Sequence, residues 1–300
     1  MKKNLLLGLI VAFFAVQAEA ASLKRDPEEF PNRSCGGENS DAYFKIAGFS
    51  HYPPFSWKAA DLEEYKRRNI QAYKYDGFAV DLVKTALEEI KVKKIESVFF
   101  DSEEDMRRAV LEGKVDLIFT TFYQGGNKTG LDFIYPAYFG NPLTVISRAD
   151  KKVDVADIAE LKGMLGVVRR EEGVLPLIQG KLPTDTKVVE VDGVDAAFEK
   201  LLSGEADFMI SSPYSVIAES KLRKNEDKLY IQSKPLRPVK LFAAFSKMSK
   251  CKRYKEKFEE AFAKHYADKA DAERRMKTYV KLWAEKGAQA EEFPPWDSLR

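Results

Sequence analysis

Ala109-Val110-Leu111-Glu112-Gly113-Lys114-Val115-Asp116-Leu117-Ile118-Phe119-Thr120-Thr121 decides the fold, because the chain repeats its plan at Lys200-Leu201-Leu202-Ser203-Gly204-Glu205-Ala206-Asp207-Phe208-Met209-Ile210-Ser211-Ser212. Each stretch opens as the end of a helix halted by glycine, Gly113 or Gly204, the residue best suited to a left-handed helix terminus. An aspartate follows, then three apolar residues of a buried strand, then a pair of hydroxyls. A helix leading into a buried strand, found twice, predicts two α/β units of similar plan. Open α/β sheets bind ligands beyond the carboxyl ends of their strands. Thr120-Thr121 and Ser211-Ser212 fall at those ends and are expected at a cleft. Asp116 and Asp207 fall at the opposite ends and read as turn or capping residues.

The flanking sequence supports the same class. Tyr43–Phe49 reads as a strand that stops before Tyr52-Pro53-Pro54. Val80, Leu82, Val83, Ala86, Leu87 and Ile90 share a helical face, with the start at Asp76 or Gly77. Ile95–Phe100 is β-branched and aromatic, hence strand. Leu165–Val168 is another strand, followed by Arg169-Arg170-Glu171-Glu172 and an expected helix. At the start of a helix, Arg169 or Arg170 would clamp an anionic ligand group, whereas Glu171 and Glu172 would complement the helix dipole. Residues 252–287 predict one or two amphipathic helices, with Phe258, Phe262, Tyr266, Met276, Tyr279 and Trp283 as a core-facing stripe.

Whole-chain properties narrow the function. Lys2 and Lys3, the apolar run Leu5–Val16 and Ala18-Glu19-Ala20 read as a cleavable signal peptide over residues 1–20. Residues 21–40 read as a polar arm. No later stretch is apolar enough to span a membrane. The formal charge is +2 over 300 residues, which gives no electrostatic case for nucleic acid. Cys35 and Cys251 are the two cysteines, and in an oxidising compartment they are expected to form one disulfide. Two histidines, His51 and His265, and no cysteine cluster argue against a zinc site. No cofactor or metal is expected.

Several short motifs then resemble, in order, the type II periplasmic solute-binding proteins, specifically the polar amino-acid group (bacterial extracellular solute-binding protein family 3). They are Tyr52-Pro53-Pro54-Phe55; Gly77-Phe78 with Asp81-Leu82; Gly113-Lys114-Val115-Asp116; Asp132-Phe133 with Pro136 and Tyr138; and Leu161-Lys162-Gly163 with Gly166-Val167. The resemblance covers about residues 43–285. It implies two α/β lobes joined by crossing strands, with a ligand cleft between them that closes by a hinge. Lobe 1 would be residues 41–140 and 245–300, and lobe 2 residues 141–244. It places Tyr52 on the ligand, with Phe55 and Trp57 nearby, and Thr120, Thr121, Phe122 and Tyr123 at the carboxylate. It implies a monomeric periplasmic protein serving an ABC importer.

The chain departs from that pattern at the charged anchors. The family's carboxylate-binding arginine falls at Lys128 or Asn127, and lysine offers a point charge where arginine offers a fork. The family's ammonium-binding aspartate falls at Ser212, and its Gly-Thr turn is replaced by Arg170-Glu171. Glu171 or Glu172 could stand in for the aspartate. With Tyr52, Trp57, Phe122, Tyr123 and Tyr214 at the cleft edge, the departures favour a partly apolar ligand with an anionic or zwitterionic group. Residues 57–74 exceed the family's usual length and are expected as a lid. Two other functions stand beside import. One is presentation of ligand to a membrane sensor. The other is dehydratase-like catalysis, which needs a carboxylic acid after the Ser211-Ser212 strand, where none occurs.

Overall fold

The computed structural model describes residue 35 and residues 43–68, 71–100, 103–123 and 130–290. The expected signal peptide lies outside the described residues, as do the arm apart from Cys35, and Asn127 and Lys128. In chain order the first half runs β1 (Tyr43–Ala47), β2 (His51–Tyr52), β3 (Ser56–Ala60), α1 (Leu62–Arg68), β4 (Tyr73–Asp76), α2 (Phe78–Glu89), β5 (Lys94–Ser97), α3 (Glu103–Leu111), β6 (Leu117–Phe122), β7 (Leu131–Phe133) and β8 (Phe139–Gly140). The second runs β9 (Thr144–Arg148), β10 (Leu165–Arg169), α4 (Leu175–Ile178), β11 (Lys187–Val191), α5 (Val194–Ser203), β12 (Phe208–Ser211), α6 (Pro213–Arg223), β13 (Leu229–Ile231), β14 (Lys240–Ser246), α7 (Lys255–Lys264) and α8 (Lys269–Ala290).

These strands form two main sheets. The first has the order β5-β1-β6-β14-β7, with β8 also paired to β14; the second has the order β11-β10-β12-β9-β13. Within each, the repeated unit's strand lies parallel to its predecessor: Ile46 is opposite Leu117, and Gly166 is opposite Phe208. The chain leaves the first sheet after β8 and returns as β14, which lies wholly within that sheet. The two crossing segments pair with each other: Asn141 N donates to Val239 O at 2.8 Å and Leu143 N to Arg237 O at 2.9 Å.

The two repeated aspartates act alike. The Asp116 carboxylate accepts from Lys45 N at 2.8 Å, and that of Asp207 from Leu165 N at 3.0 Å. Each thus ties the start of its strand to the start of the neighbouring parallel strand, where a ladder runs out of partners. Gly204 ends α5 in the left-handed conformation, and Gly113 has φ 70° after α3.

Burial follows the periodicity. The face Phe78, Ala79, Leu82, Val83, Ala86 and Leu87 of α2 packs into the first lobe's core with Phe44, Ile46, Leu117 and Phe119. The second sheet is covered on two sides, one core holding Leu143, Val168 and Phe208, the other Val167, Phe198 and Met209. Phe258, Phe262 and Met276 join the first core, while Trp283 packs with Trp57 and Ala218. Because α8 follows the first sheet in the chain and α6 follows the second, this last cluster joins the lobes.

One local expectation changes, and residues 57–74 gain a structure. Only short helical turns follow Arg169: a 3-10 turn, Arg170–Glu172, ends at Gly173 with φ 58°, and α4 is one turn. Gly173 terminates the turn in the left-handed conformation, so there is no helix dipole at this position to favour an anion. Residues 57–74 fold as β3, α1 and β4, and β3 pairs antiparallel with both β2 and β4 to form a third, three-stranded sheet. Cys35 and Cys251 form a disulfide, with both residues buried.

Candidate functional site

The carboxyl ends of β10 and β12 bring Arg169, Ser211 and Ser212 together at the junction of the lobes. Arg169 is 2 % exposed and ion-paired to Glu172 on the following turn. Ser211 Oγ donates to the same carboxylate, 2.7 and 2.8 Å from its two oxygens. Ser212 caps α6, accepting from Ser215 N, and its hydroxyl donates to Asn141 Oδ1. Asn141 Nδ2 in turn donates to Tyr52 Oη at 2.6 Å. A hydrogen-bonded chain thus runs from lobe 1 through the crossing segment to lobe 2.

A second chain runs beside it through Glu219 of α6, which is 1 % exposed. An ionised carboxylate only accepts hydrogen bonds, so its partners must all donate. They come from four elements: His51 Nε2 of β2 at 2.9 Å, Arg223 Nη1 of α6 itself, Trp283 Nε1 of α8 at 3.3 Å, and Arg169 Nη1 of β10 as an ion pair at 4.0 Å. Burial pushes the Glu219 carboxyl up, but the hydrogen bond and charge of His51 with the two guanidiniums outweigh it and hold the group below its ordinary range. Burial opposes the charge of Arg169, and the carboxylates of Glu172 and Glu219 more than restore it. The Tyr52 hydroxyl is pushed well up by burial, with Glu172 adding to the effect, so it stays protonated.

At 4.0 Å, Arg169 Nη1 is too far from Glu219 for a hydrogen bond. It is a buried donor without a hydrogen-bond partner, and so is Ser215 Oγ. Both residues, with Glu219 and Ser211, line a small gap inside the second lobe, walled also by Val194, Phe198, Met209 and Val216 and too small to hold a water molecule. A buried unpaired donor costs about 1–3 kcal/mol. Arg169 and Ser215 thus each keep hydrogen-bonding capacity unused at the strand ends.

The other sequence-predicted residues are scattered. Phe55 is fully buried, stacked on Tyr52. Trp57 packs on Trp283 and Tyr279. Thr120 is buried and bonded to Tyr138 Oη at 3.0 Å. Thr121 is half-buried, and its hydroxyl donates to Phe122 O; Phe122 lies against Phe49 and Tyr52. Tyr123 is 53 % exposed and packs with Phe133 and Phe242. Arg170 points to solvent and pairs with Asp192 and Glu190, so it does not join the junction. Glu171 accepts from Gly193 N. Tyr214 packs on Phe55 and Phe139 and lines a groove of about 810 Å³ between α6 and α8, with Ile217, Met276 and Val280.

Glu219, His51, Asn141 and Trp283 belong to the junction but stand outside the motifs. One signal pointed to Glu219. On α6 the buried face is Ser215, Val216, Glu219 and Ser220, so a glutamate occupies a position that helical spacing assigns to the interior.

This is the two-lobed α/β fold of the type II periplasmic binding proteins, with paired crossing strands between the lobes. Solved structures share it at low identity. An amino-acid ABC transporter substrate-binding protein of Streptococcus pneumoniae, bound to L-arginine, aligns at TM-score 0.64 and 16% identity, covering 81% of this chain and 97% of that one. An ancestral amino-acid-binding protein, a precursor of cyclohexadienyl dehydratase, aligns at 0.60 and 20%, over 79% and 95%. The periplasmic VFT2 domain of Bordetella pertussis BvgS aligns at 0.55 and 19%, over 80% and 93%. No protein-family model matches the chain, and no curated protein matches it significantly.

Proposed function

We propose that this chain is an exported solute-binding protein that takes a small anionic or zwitterionic metabolite between its lobes, with Arg169 as the anion anchor, and delivers it to an ABC importer. The signal-peptide pattern of residues 1–20 supports export, and the disulfide fits an oxidising compartment. The lobes in this reading are residues 43–140 with 240–290, and residues 141–239, which keeps β14 whole. The observation that carries the reading is the buried guanidinium with an unused N–H beside the unused Ser215 hydroxyl. A solute carboxylate would reach Arg169 from the strand ends by displacing Glu172 as its partner. Tyr52, Asn141 and Ser212 then line the approach as neutral hydrogen-bonding groups, and Phe122 supplies an apolar wall. Binding is favoured over general-acid catalysis by Glu219, because a carboxyl held below its ordinary range makes a poor general acid at neutral pH.

A calorimetric screen of amino acids, dicarboxylates and aromatic acids tests this. We expect at least one to bind near micromolar Kd, about 8 kcal/mol. Arg169→Met should weaken that binding by about a hundredfold or more, the cost of removing one partner from a buried charge pair. Full affinity in that variant, with the fold intact by circular dichroism, would overturn the assignment of Arg169.

A further inference from the structure

The Glu219 carboxylate is held from both lobes at once. Arg169 and Arg223 reach it from the second lobe, His51 from the first, and Trp283 from the C-terminal helix. Of these partners only His51 changes charge near neutral pH. His51 is 35 % exposed, so protons reach it while the cleft is shut. Its ring also lies edge-on to Trp283, with centroids 5.3 Å apart.

We propose that His51 and Glu219 form a proton-controlled latch between the lobes, so that acidification holds the solute cleft closed and rising pH releases it. The inference rests on the solute-capture reading, in that the cleft is the working site. The physical reason is local. A neutral imidazole gives Glu219 an ordinary hydrogen bond, whereas an imidazolium gives it a charge-assisted one, roughly twice as strong. Opening the hinge breaks this bond, so the closed form binds the proton more tightly than the open form. Charged groups facing the pair among the described residues enter the balance. Arg169 and Arg223 oppose the added positive charge, but Glu172 offsets Arg169, and Asp195 pairs with Arg223 at 2.7 Å. Glu219 itself, in direct contact with the ring, is the nearest charge and favours protonation.

The sign follows from linkage. A proton bound more tightly by the closed form favours closure at low pH, and the closed-to-open ratio falls as pH rises, by at most about tenfold per pH unit for one proton. The response belongs to the range in which histidine changes charge, and runs upward from there because the closed form holds the proton more tightly.

Small-angle scattering of the solute-free protein reads this directly. The radius of gyration should rise between about pH 5.5 and pH 8, and Trp283 fluorescence, quenched by a neighbouring imidazolium, should rise with it. His51→Gln keeps a donor without the charge, and both profiles should become flat. His265→Gln alters the chain's other histidine, which pairs with Glu89 on α2, and should leave both profiles as in the parent. A flat scattering profile in the parent, or a full pH response surviving in His51→Gln, would overturn the latch. Because His51 is part-exposed, its glutamine variant is expected to fold, and its melting curve shows whether it does. Neither readout needs a solute, so failure of the latch and failure of the capture reading are told apart.

Discussion

Single residues set the chemistry of the junction. The Tyr52 hydroxyl accepts from the fully buried Asn141 amide, so Tyr52→Phe strands a donor in the interior. We expect the variant to lose about 1–3 kcal/mol, seen as a lower denaturant midpoint with an unchanged slope. Glu219 gives a second prediction. Its folded-state carboxyl sits below the ordinary 4.5, so the stability it contributes is complete above that value and is lost as pH falls through the folded-state value. Melting temperature should decline on acidification below about pH 4.5, and Glu219→Gln should show a shallower decline. A variant with the parent's acid limb would show that the carboxylate is not what responds. The acid limb lies well below the histidine window of the latch, so the two effects separate on one pH axis.

Elements place those residues. β10 and β12 run side by side and parallel, and so deliver Arg169 and Ser211 to the same end. β2 belongs to a hairpin that turns back at Pro53-Pro54, and α2 begins against that turn: Phe78 N donates to Pro54 O and Ala79 N to Phe55 O. Gly77 makes the close approach possible. Its φ is 124°, and a Cβ there would lie 2.4 Å from Phe55 O. Gly77→Ala should therefore cost about 2 kcal/mol or more and shift the His51-Tyr52 hairpin. It should also weaken solute binding beyond the loss in stability, which calorimetry and thermal melting would separate. The α2 periodicity over Val80–Ile90 predicted a helix starting at Asp76 or Gly77, and the element runs Phe78–Glu89 with Gly77 at its N-cap. The expected helix after Arg169–Glu172 came out as the one-turn α4, set apart from Arg169 by Gly173, which turns left-handed and ends the preceding 3-10 turn.

At the scale of the molecule, the disulfide joins residues 216 positions apart. A cross-link of that span constrains the unfolded chain strongly, and losing it should cost about 2–5 kcal/mol. Reductant should lower the melting temperature of the parent and leave a Cys35→Ser/Cys251→Ser variant unaffected. The two-lobed plan was legible in the sequence. The Gly-x-x-Asp strand unit occurs twice, and Asp116 and Asp207 do the same strand-tying work in each lobe. Periodicity and punctuation act within a few residues of their cause, so they survive in one dimension. The site was legible only in part: Tyr52, Arg169 and Ser212 meet, whereas Phe55, Trp57 and Thr120 went to packing and Tyr123 and Arg170 to the surface. The sequence by itself determined the strand ends and the small hydroxyls that stand there. Only the tertiary structure decided that Arg169, not Arg170, turns inward, and that His51, Asn141, Glu219 and Trp283 converge there from four separate segments. Charge pairing across a fold depends on distances between distant segments, and those distances exist only once the crossing strands have brought the lobes together.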